Sequence, residues 1–284
     1  MVALPLKKEF LKMKKILSLM LVAVMVLSFA ACGNDKTAVD YNESVEGALV
    51  VAEAGSAGEE LATGEEFFAN AEFTPVDSMA KALMEVASGT ADVAIVDYVT
   101  SIGSIGEGTD YEDLVVVDGK DFSPEEYGIA FRKGSDITPA VNAAIAELMN
   151  DGTMDEIGKE YKLDELLIKD DKAFEEEVKE GDLAYVKEKG ELIIGITYFA
   201  PMNYENDDKE LVGFETEFAK AVCEKLGVAP KFVEINWDAK EVELNAKNID
   251  CIWNGMTITD ERVANMSISV PYMANKQVMV AKAK

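Results

Sequence analysis

Residues 49–61, LVVAEAGSAGEEL, place four apolar residues before a glycine-containing turn, and the turn before two glutamates and a leucine. A short apolar run bounded by a turn is typical of a buried strand, and the polar stretch that follows is typical of the start of a helix. The segment therefore predicts a strand, a tight turn and a helix in succession.

The same alternation continues along the chain. It predicts a helix at 79–87 and a buried strand at 91–96. Further strands are predicted at 114–117, 127–131, 192–196, 232–235, 249–253 and 277–281, and further helices at 139–150, 154–161, 215–226 and 240–246. Strands and helices at this spacing predict an α/β fold with open, largely parallel sheets. The acidic stretch 162–182 predicts a helical linker lying against a surface.

The charge of the chain excludes several functions. The 284 residues include 54 acidic and 27 basic residues, giving a net charge of −27, and they include no histidine. Nucleic-acid binding is excluded because it requires clustered lysine and arginine. Histidine is the usual general base and the commonest metal ligand, so its absence argues against most hydrolases and zinc proteins. We therefore expect no catalytic residues, metal or cofactor, and an acidic surface that keeps an exported protein soluble.

The first 31 residues are typical of an export signal. Lysines at 7–15 precede an apolar run at 16–31 that is shorter than the ~20 residues needed to span a bilayer. The stretch 27–33, LSFAACG, resembles the lipobox of bacterial lipoproteins, which implies lipidation of Cys32 and a polar tether over 32–45. Phe29 departs from the leucine usual at its position, and the alternative is an ordinary signal peptide with an incidental cysteine. Translation starts at Met1 or Met13.

The other two cysteines fall in apolar patterns. Cys223 lies in a predicted helix and Cys251 in a predicted strand. We expect both to be small buried residues, with a disulfide between them as the less favoured alternative.

Two stretches have the chemistry to hold a free amino acid. The strand ending at residue 253 is followed by Thr257 and Arg262, at the edge where open α/β sheets bind ligands. An arginine fork suits a carboxylate, although Arg262 taken alone is more typical of a surface ion pair. The turn after residue 53 directs backbone N–H groups of a helix start towards an anion. Asp97, at the end of another strand, would face an ammonium group or cap a helix.

Several motifs together resemble the extracytoplasmic solute-binding proteins of polar amino-acid ABC transporters. One lobe of that family is matched by FAPMNY (199–204), LVGFE (211–215), GMTITDER (255–262) and SVPY (269–272). The other is matched by AGSAGE (54–59), VDY (96–98), YGIAFRKG (127–134) and NDGT (150–153). The resemblance implies a type II periplasmic-binding-protein fold of two lobes, each an open sheet flanked by helices.

The resemblance also implies which residues hold the ligand carboxylate. Arg262 and Thr257 would bind it from one lobe, and Ser56 and the Ala57 backbone N–H from the other. Ala57 stands where the family usually has a hydroxyl, so its contribution is limited to the backbone.

Other residues would hold the rest of the amino acid. Gly255 would offer a carbonyl oxygen and Asp97 a carboxylate to the ammonium group. Phe199 and Trp237 would wall the side chain, with a core position as the alternative for Trp237. Glu53 would reach the side-chain pocket, where the family often has an uncharged residue.

The order of the lobes is reversed relative to the family, which predicts a circular permutation. Lobe 2 is expected at 46–126, and lobe 1 at 127–163 and 181–284, with an acidic linker at 164–180. Permutation at adjacent, exposed chain ends is generally tolerated.

The predicted function is capture of a free amino acid between the lobes and its delivery to the permease of an ABC transporter, by a protein anchored outside the cell through Cys32. The alternatives are a sensing module without transport and, least favoured, a dehydratase on the same scaffold. We expect a monomer, with a lobe-swapped dimer as the alternative. The sequence does not say which amino acid binds.

Overall fold

The computed structural model describes residues 40–120, 122, 124–169, 172–174 and 177–283. The predicted signal peptide, Cys32 and the tether up to residue 39 lie outside the described residues. Within the described ranges, no helix is long and apolar enough to cross a membrane.

The helices begin and end where their capping residues predict. The hydroxyls of Ser56 and Ser78 accept hydrogen bonds from backbone N–H groups three residues later, which caps the first two helices. Left-handed Gly89 ends the second of these helices, and left-handed Gly227 ends the helix Phe214–Leu226. The bounds are α1 Ala57–Gly64, α2 Met79–Ser88, α3 Tyr98–Ser104, α4 Ile137–Asp151, α5 Thr153–Glu160, α6 Asp182–Lys189, α7 Phe214–Leu226, α8 Lys240–Asn245 and α9 Asp260–Asn265.

Most of the strands form two separate sheets. Their bounds are β1 Leu49–Glu53, β2 Glu72–Val76, β3 Val93–Asp97, β4 Leu114–Val116, β5 Pro124–Tyr127, β6 Ala130–Arg132, β7 Glu191–Ile196, β8 Tyr204–Glu205, β9 Leu211–Val212, β10 Ala229–Glu234, β11 Cys251–Ile252, β12 Met266–Ile268 and β13 Met273–Lys282. The first sheet has the order β2-β1-β3-β13-β4, and the second has the order β10-β7-β11-β6-β12. The short strands β8 and β9 pair only with each other.

The first sheet is covered by helices on both faces. Because successive side chains of a strand point to opposite faces, Val50 packs in a cluster with Ala62 of α1, and Val51 packs in a cluster with Leu83 of α2. Strands β1, β2 and β3 run parallel to one another. Their carboxyl ends therefore meet at one edge, where Glu53 and Asp97 lie.

The second sheet is also covered on both faces. Ile194 of β7 packs in a cluster with Ile145 of α4 and Phe218 of α7. Ile252 of β11 packs in another cluster with Leu244 of α8. The predicted α/β fold, with two open sheets each flanked by helices, is confirmed.

Two antiparallel strands join the sheets. Residues 273–276 of β13 pair with β5, and residues 277–282 pair with β3 and β4 of the first sheet. We call residues 40–122, together with the end of β13, lobe 2, and residues 128–272 lobe 1. The pair formed by β5 and the start of β13 is the hinge.

Two sequence expectations differ from the structure. The last predicted strand was assigned to lobe 1, but from residue 277 it belongs to the sheet of lobe 2. Its apolar pattern predicts a buried strand without saying which sheet buries it. The stretch 164–180 forms a short 3₁₀ turn at Asp164–Leu166 and no α-helix in its described residues. Isolated bridges tie it instead to the first residue of β13, where Leu167 pairs with Met273, and to lobe 1, where Lys179 pairs with Ser135.

The two described cysteines are free thiols and both are buried. Burial raises the pKa of the Cys223 thiol to about 12. The expectation of small buried residues is confirmed, and the alternative disulfide between Cys223 and Cys251 does not form.

Candidate functional site

Arg262 reaches from lobe 1 to lobe 2. Its backbone N–H is capped by Thr259 at the start of α9, and the residue is 5% exposed. Its Nη1 atom donates to the Thr257 carbonyl at 2.8 Å. Its Nη2 atom lies 3.1 Å from a carboxylate oxygen of Glu60 and 3.5 Å from the Gly55 carbonyl oxygen, both in lobe 2. Arg262 is therefore buried at the boundary between the lobes, and its ion-pair partner, Glu60, belongs to the other lobe.

The turn before α1 is held against lobe 1. Lys240 donates to the Gly55 carbonyl at 2.8 Å. Gly55 has a φ of +70°, and a Cβ atom there would lie 2.9 Å from the Cα atom of Asp238. Only glycine fits both the left-handed backbone and this close approach.

The start of α1 is occupied by side chains of its own helix. The Ser56 hydroxyl accepts from the backbone N–H of Glu59 at 3.2 Å, and the Glu59 carboxylate accepts from the Gly55 N–H at 2.6 Å. Ser56 is buried and Ala57 is partly exposed. The turn that was predicted to bind an anion therefore lies beside Arg262, and the Glu59 carboxylate already accepts from the Gly55 N–H.

Asp97 is buried at the end of β3. Its carboxylate accepts hydrogen bonds from the Tyr127 hydroxyl at 2.7 Å and from the Gln277 side-chain amide. It stands at the N-cap position of α3 but makes no capping hydrogen bond. The carboxylate is therefore directed towards the hinge strands, and the capping alternative does not hold.

A chain of hydrogen bonds through the hinge connects Asp97 with Arg262. Gln277 donates to Asp97 and, at 3.0 Å, to Glu125. Glu125 also accepts from the Thr257 hydroxyl at 3.1 Å, and the Thr257 carbonyl accepts from Arg262. Thr257 therefore contacts Arg262 through its carbonyl oxygen and Glu125 through its hydroxyl.

An aromatic wall surrounds Gly255. A Cβ atom at this glycine would lie 3.0 Å from the Phe199 ring and 3.3 Å from the Tyr127 ring. The Gly255 N–H donates to buried Glu215 at 2.8 Å. Trp237 lies apart from this group in the core cluster that contains Ile252, with the ammonium of Lys240 4.9 Å from its ring. The structure therefore brings Phe199 next to Gly255 and packs Trp237 in the core.

Burial shifts the pKa values of the charged groups in this region. Burial and repulsion from Glu125 raise the pKa of Asp97 to about 7. Burial, followed by repulsion from Asp97, raises the pKa of Glu53 to about 8. Burial and the charge of Arg262 lower the pKa of Lys240 to about 8. Clustered groups with perturbed pKa values are characteristic of functional sites.

The sequence analysis missed five residues of this site: Glu125, Tyr127, Lys240, Asn275 and Gln277. Asn275 donates to Glu125 at 3.0 Å, so four of the five form one hinge network. The available signal was the run of three consecutive polar residues at 275–277, which interrupts the apolar pattern of β13.

Two surface cavities lie elsewhere. One, of about 360 Å³, is lined by residues 109–114 with Ala87, and the other, of about 300 Å³, by Tyr98, Ile102 and residues of the 159–166 stretch. Neither includes a predicted site residue. In this conformation the lobes contact each other directly through Arg262 and Lys240. The predicted site is therefore recognised by the charged side chains that meet at this boundary. No cluster of potential metal ligands occurs among the described residues.

Comparison with known proteins concerns mainly the last third of the chain. Residues 192–284 match the family of bacterial extracellular solute-binding proteins, family 3. This segment is similar in sequence to extracellular solute-binding proteins. It includes Arg262, Thr257 and Gly255, and the hinge residues of β13.

Relatives match over similar lengths. The chain is 38% identical to the L-cystine-binding protein of Escherichia coli K12 over 105 residues, which are 36% of this chain and 40% of that protein. It is 35% identical to the histidine-binding periplasmic protein of the same organism over 85 residues, 30% of this chain and 33% of that protein. A histidine-bound ABC uptake transporter substrate-binding protein from Streptococcus pneumoniae is 36% identical, with a TM-score of 0.29, over 30% of this chain and 35% of that one. The chain thus spans well under half of each relative.

Proposed function

We propose that the protein captures a free amino acid between its two lobes and delivers it to the permease of an ABC transporter. The observation that carries the proposal is the burial of Arg262 and Asp97, from opposite lobes, at the two ends of one hinge network. An amino acid presents a carboxylate and an ammonium group a few ångströms apart. Each charge can be buried only against a charged or strongly polar partner.

In this proposal the ligand replaces contacts that the lobes make with each other. Its carboxylate takes the place of the Glu60 carboxylate on Arg262 and meets Ser56 and the backbone N–H of Ala57. Its ammonium group pairs with Asp97 and the Gly255 carbonyl, and its side chain lies against Phe199. Two charge-assisted anchors contribute about 1.5–3 kcal/mol each. Exclusion of water on hinge closure adds to them, towards the ~8 kcal/mol of a micromolar complex.

The names of the relatives favour transport over sensing. They are a cystine-binding protein, a histidine-binding periplasmic protein and the substrate-binding protein of an ABC uptake transporter. A permease and an ATPase encoded beside this protein would support transport, whereas a neighbouring sensor kinase would support sensing.

We further propose that the chain is a circular permutation of this family. The family match falls in the last part of the chain, at 192–284, and the described residues build both lobes from a single chain. Lobe 2 of the proposed arrangement comes first, and the segment 164–180 joins what would be the original chain ends. The same arrangement favours a monomer.

The proposed location is the outer face of the cell membrane. Its support is the sequence LSFAACG at 27–33, in which Cys32 would become the lipidated first residue. Two or more acyl chains give stable anchoring.

Isothermal titration calorimetry with the twenty amino acids tests the proposed function. We expect micromolar binding of at least one of them, and Arg262→Ala should weaken it at least tenfold because one charge-assisted anchor is lost. Lys231→Ala, a change at an exposed lysine of lobe 1, is the matched control and should leave the affinity unchanged. Absence of heat with all twenty would refute the proposal.

A further inference from the structure

Glu53 is a buried carboxylate without a full set of partners. It ends β1, is 2% exposed, and its Oε1 atom has no hydrogen-bond partner among the described residues. A buried carboxylate is costly unless a cation or hydrogen-bond donors meet it. Such an unpaired group in a folded protein calls for an explanation.

The other acidic side chains of the region are already engaged. Asp97 accepts from Tyr127 and Gln277, and Glu125 accepts from three side chains. Glu215 accepts from the Gly255 N–H and from two side chains. Glu53 therefore differs from its neighbours in having an unused acceptor.

Charged groups of both lobes act on Glu53. Repulsion comes from Asp97 of its own lobe, and attraction from Lys240 of the other. Lys240 directs its ammonium to two carbonyl oxygens instead, that of Gly55 at 2.8 Å and that of Trp237 at 3.2 Å. No cation among the described residues is hydrogen-bonded to the Oε1 atom of Glu53.

We propose that Glu53 pairs with a cationic group on the side chain of the ligand, so that the protein selects basic amino acids such as arginine, lysine or ornithine. The inference rests on the proposed function, because it assigns the ligand's carboxylate to Arg262 and its α-ammonium to Asp97. The second cation of a basic amino acid then meets the Oε1 acceptor, which has no partner within the described ranges. An amino acid with a neutral side chain would leave that acceptor buried and unpaired.

Arginine and citrulline form the sharpest pair of probes, because they have nearly the same shape and differ in side-chain charge. Titration of the whole protein should show arginine binding about ten- to a hundredfold more tightly than citrulline, the range of one charge-assisted hydrogen bond. Glu53→Gln should reduce that ratio to less than threefold. Glu72→Gln removes the same charge from an exposed position of lobe 2 and should leave the ratio unchanged.

Proton release provides a second readout that needs no variant. The raised pKa of Glu53, about 8, means that the carboxyl is mostly protonated at pH 7 until a cation pairs with it. Binding of arginine should therefore release up to about one proton, measured from titrations in buffers of different ionisation enthalpy. Binding of citrulline should release less.

The outcomes separate this inference from the proposed function. Equal binding of arginine and citrulline, preference for a neutral amino acid, or an unchanged ratio in Glu53→Gln would overturn the inference and leave amino-acid capture standing. Failure of every amino acid to bind would overturn both.

Discussion

Glu60 forms an ion pair with the Arg262 guanidinium, the group that the proposed ligand carboxylate would bind. Its carboxylate lies 3.1 Å from the Nη2 atom of Arg262, across the boundary between the lobes. Replacing Glu60 with Gln should therefore tighten amino-acid binding, because the ligand no longer competes with a charged group of the protein.

The magnitude follows from the exposure of the two partners. The Arg262 side chain is 6% exposed, but the Glu60 side chain is 60% exposed, so water screens much of their attraction. Exposed ion pairs contribute about 0.2–1 kcal/mol. Loss of this competition should improve the dissociation constant by about 1.5- to 5-fold.

The same change should loosen the closed conformation in the absence of ligand, since Glu60 is one of the contacts that hold the lobes together. Small-angle X-ray scattering of Glu60→Gln without ligand should give a larger radius of gyration than the unchanged protein. With saturating amino acid the two radii should agree. Tighter binding together with a more open free form is the signature of a competing contact.

Calorimetry gives the affinity, and Glu66→Gln is the matched control because it removes an acidic charge from the same lobe. Its affinity should remain unchanged. Weaker binding by Glu60→Gln would refute the reasoning, because it would mean that Glu60 supports the ligand or positions Arg262 rather than competing.

Three further predictions concern pH, packing and location. The pKa of Glu53 is raised in the folded state to about 8. Burying its ionised carboxylate therefore costs folding stability only above pH 4.5, and this cost grows as the pH rises towards 8, reaching about 3 kcal/mol at pH 7. Urea unfolding should thus show Glu53→Gln to be more stable than the unchanged protein at pH 7.5 and equal to it at pH 4.5; equal stability at both pH values would contradict this. Gly55→Ala should weaken binding at least tenfold in calorimetry, because the new methyl group would meet Asp238 and hold the lobes apart, and an unchanged affinity would show that the turn does not approach lobe 1. Cys32→Ser should move the protein from the membrane pellet to the soluble exported fraction, and retention in the pellet would exclude anchoring through this cysteine.

The α/β fold could be predicted from the sequence because its elements are local. The run 49–52 is apolar and is followed by a glycine turn and a capped helix, and the structure has β1 and α1 there. Asp97 was identified as a strand-end carboxylate for the same reason. Its helix-capping alternative could be decided only by the geometry of α3.

The hinge network could not be predicted, because its contacts join residues far apart in the chain. Glu125 meets Asn275 and Gln277 only because β5 pairs with β13, and no local pattern sets that register. The linker at 164–180 was predicted as a helix from a few spaced apolar residues. Phe174 and Val178 are exposed, so these two side chains do not supply the buried apolar face that would stabilise a helix.

The central claim is that one amino acid is held between Arg262 and Asp97, and a crystal structure of the protein with its amino acid bound tests it most directly. The account predicts the carboxylate within hydrogen-bonding distance of Arg262 and the α-ammonium within hydrogen-bonding distance of Asp97, in the same ligand. An amino acid that contacts one lobe alone, or lies away from both side chains, would contradict it.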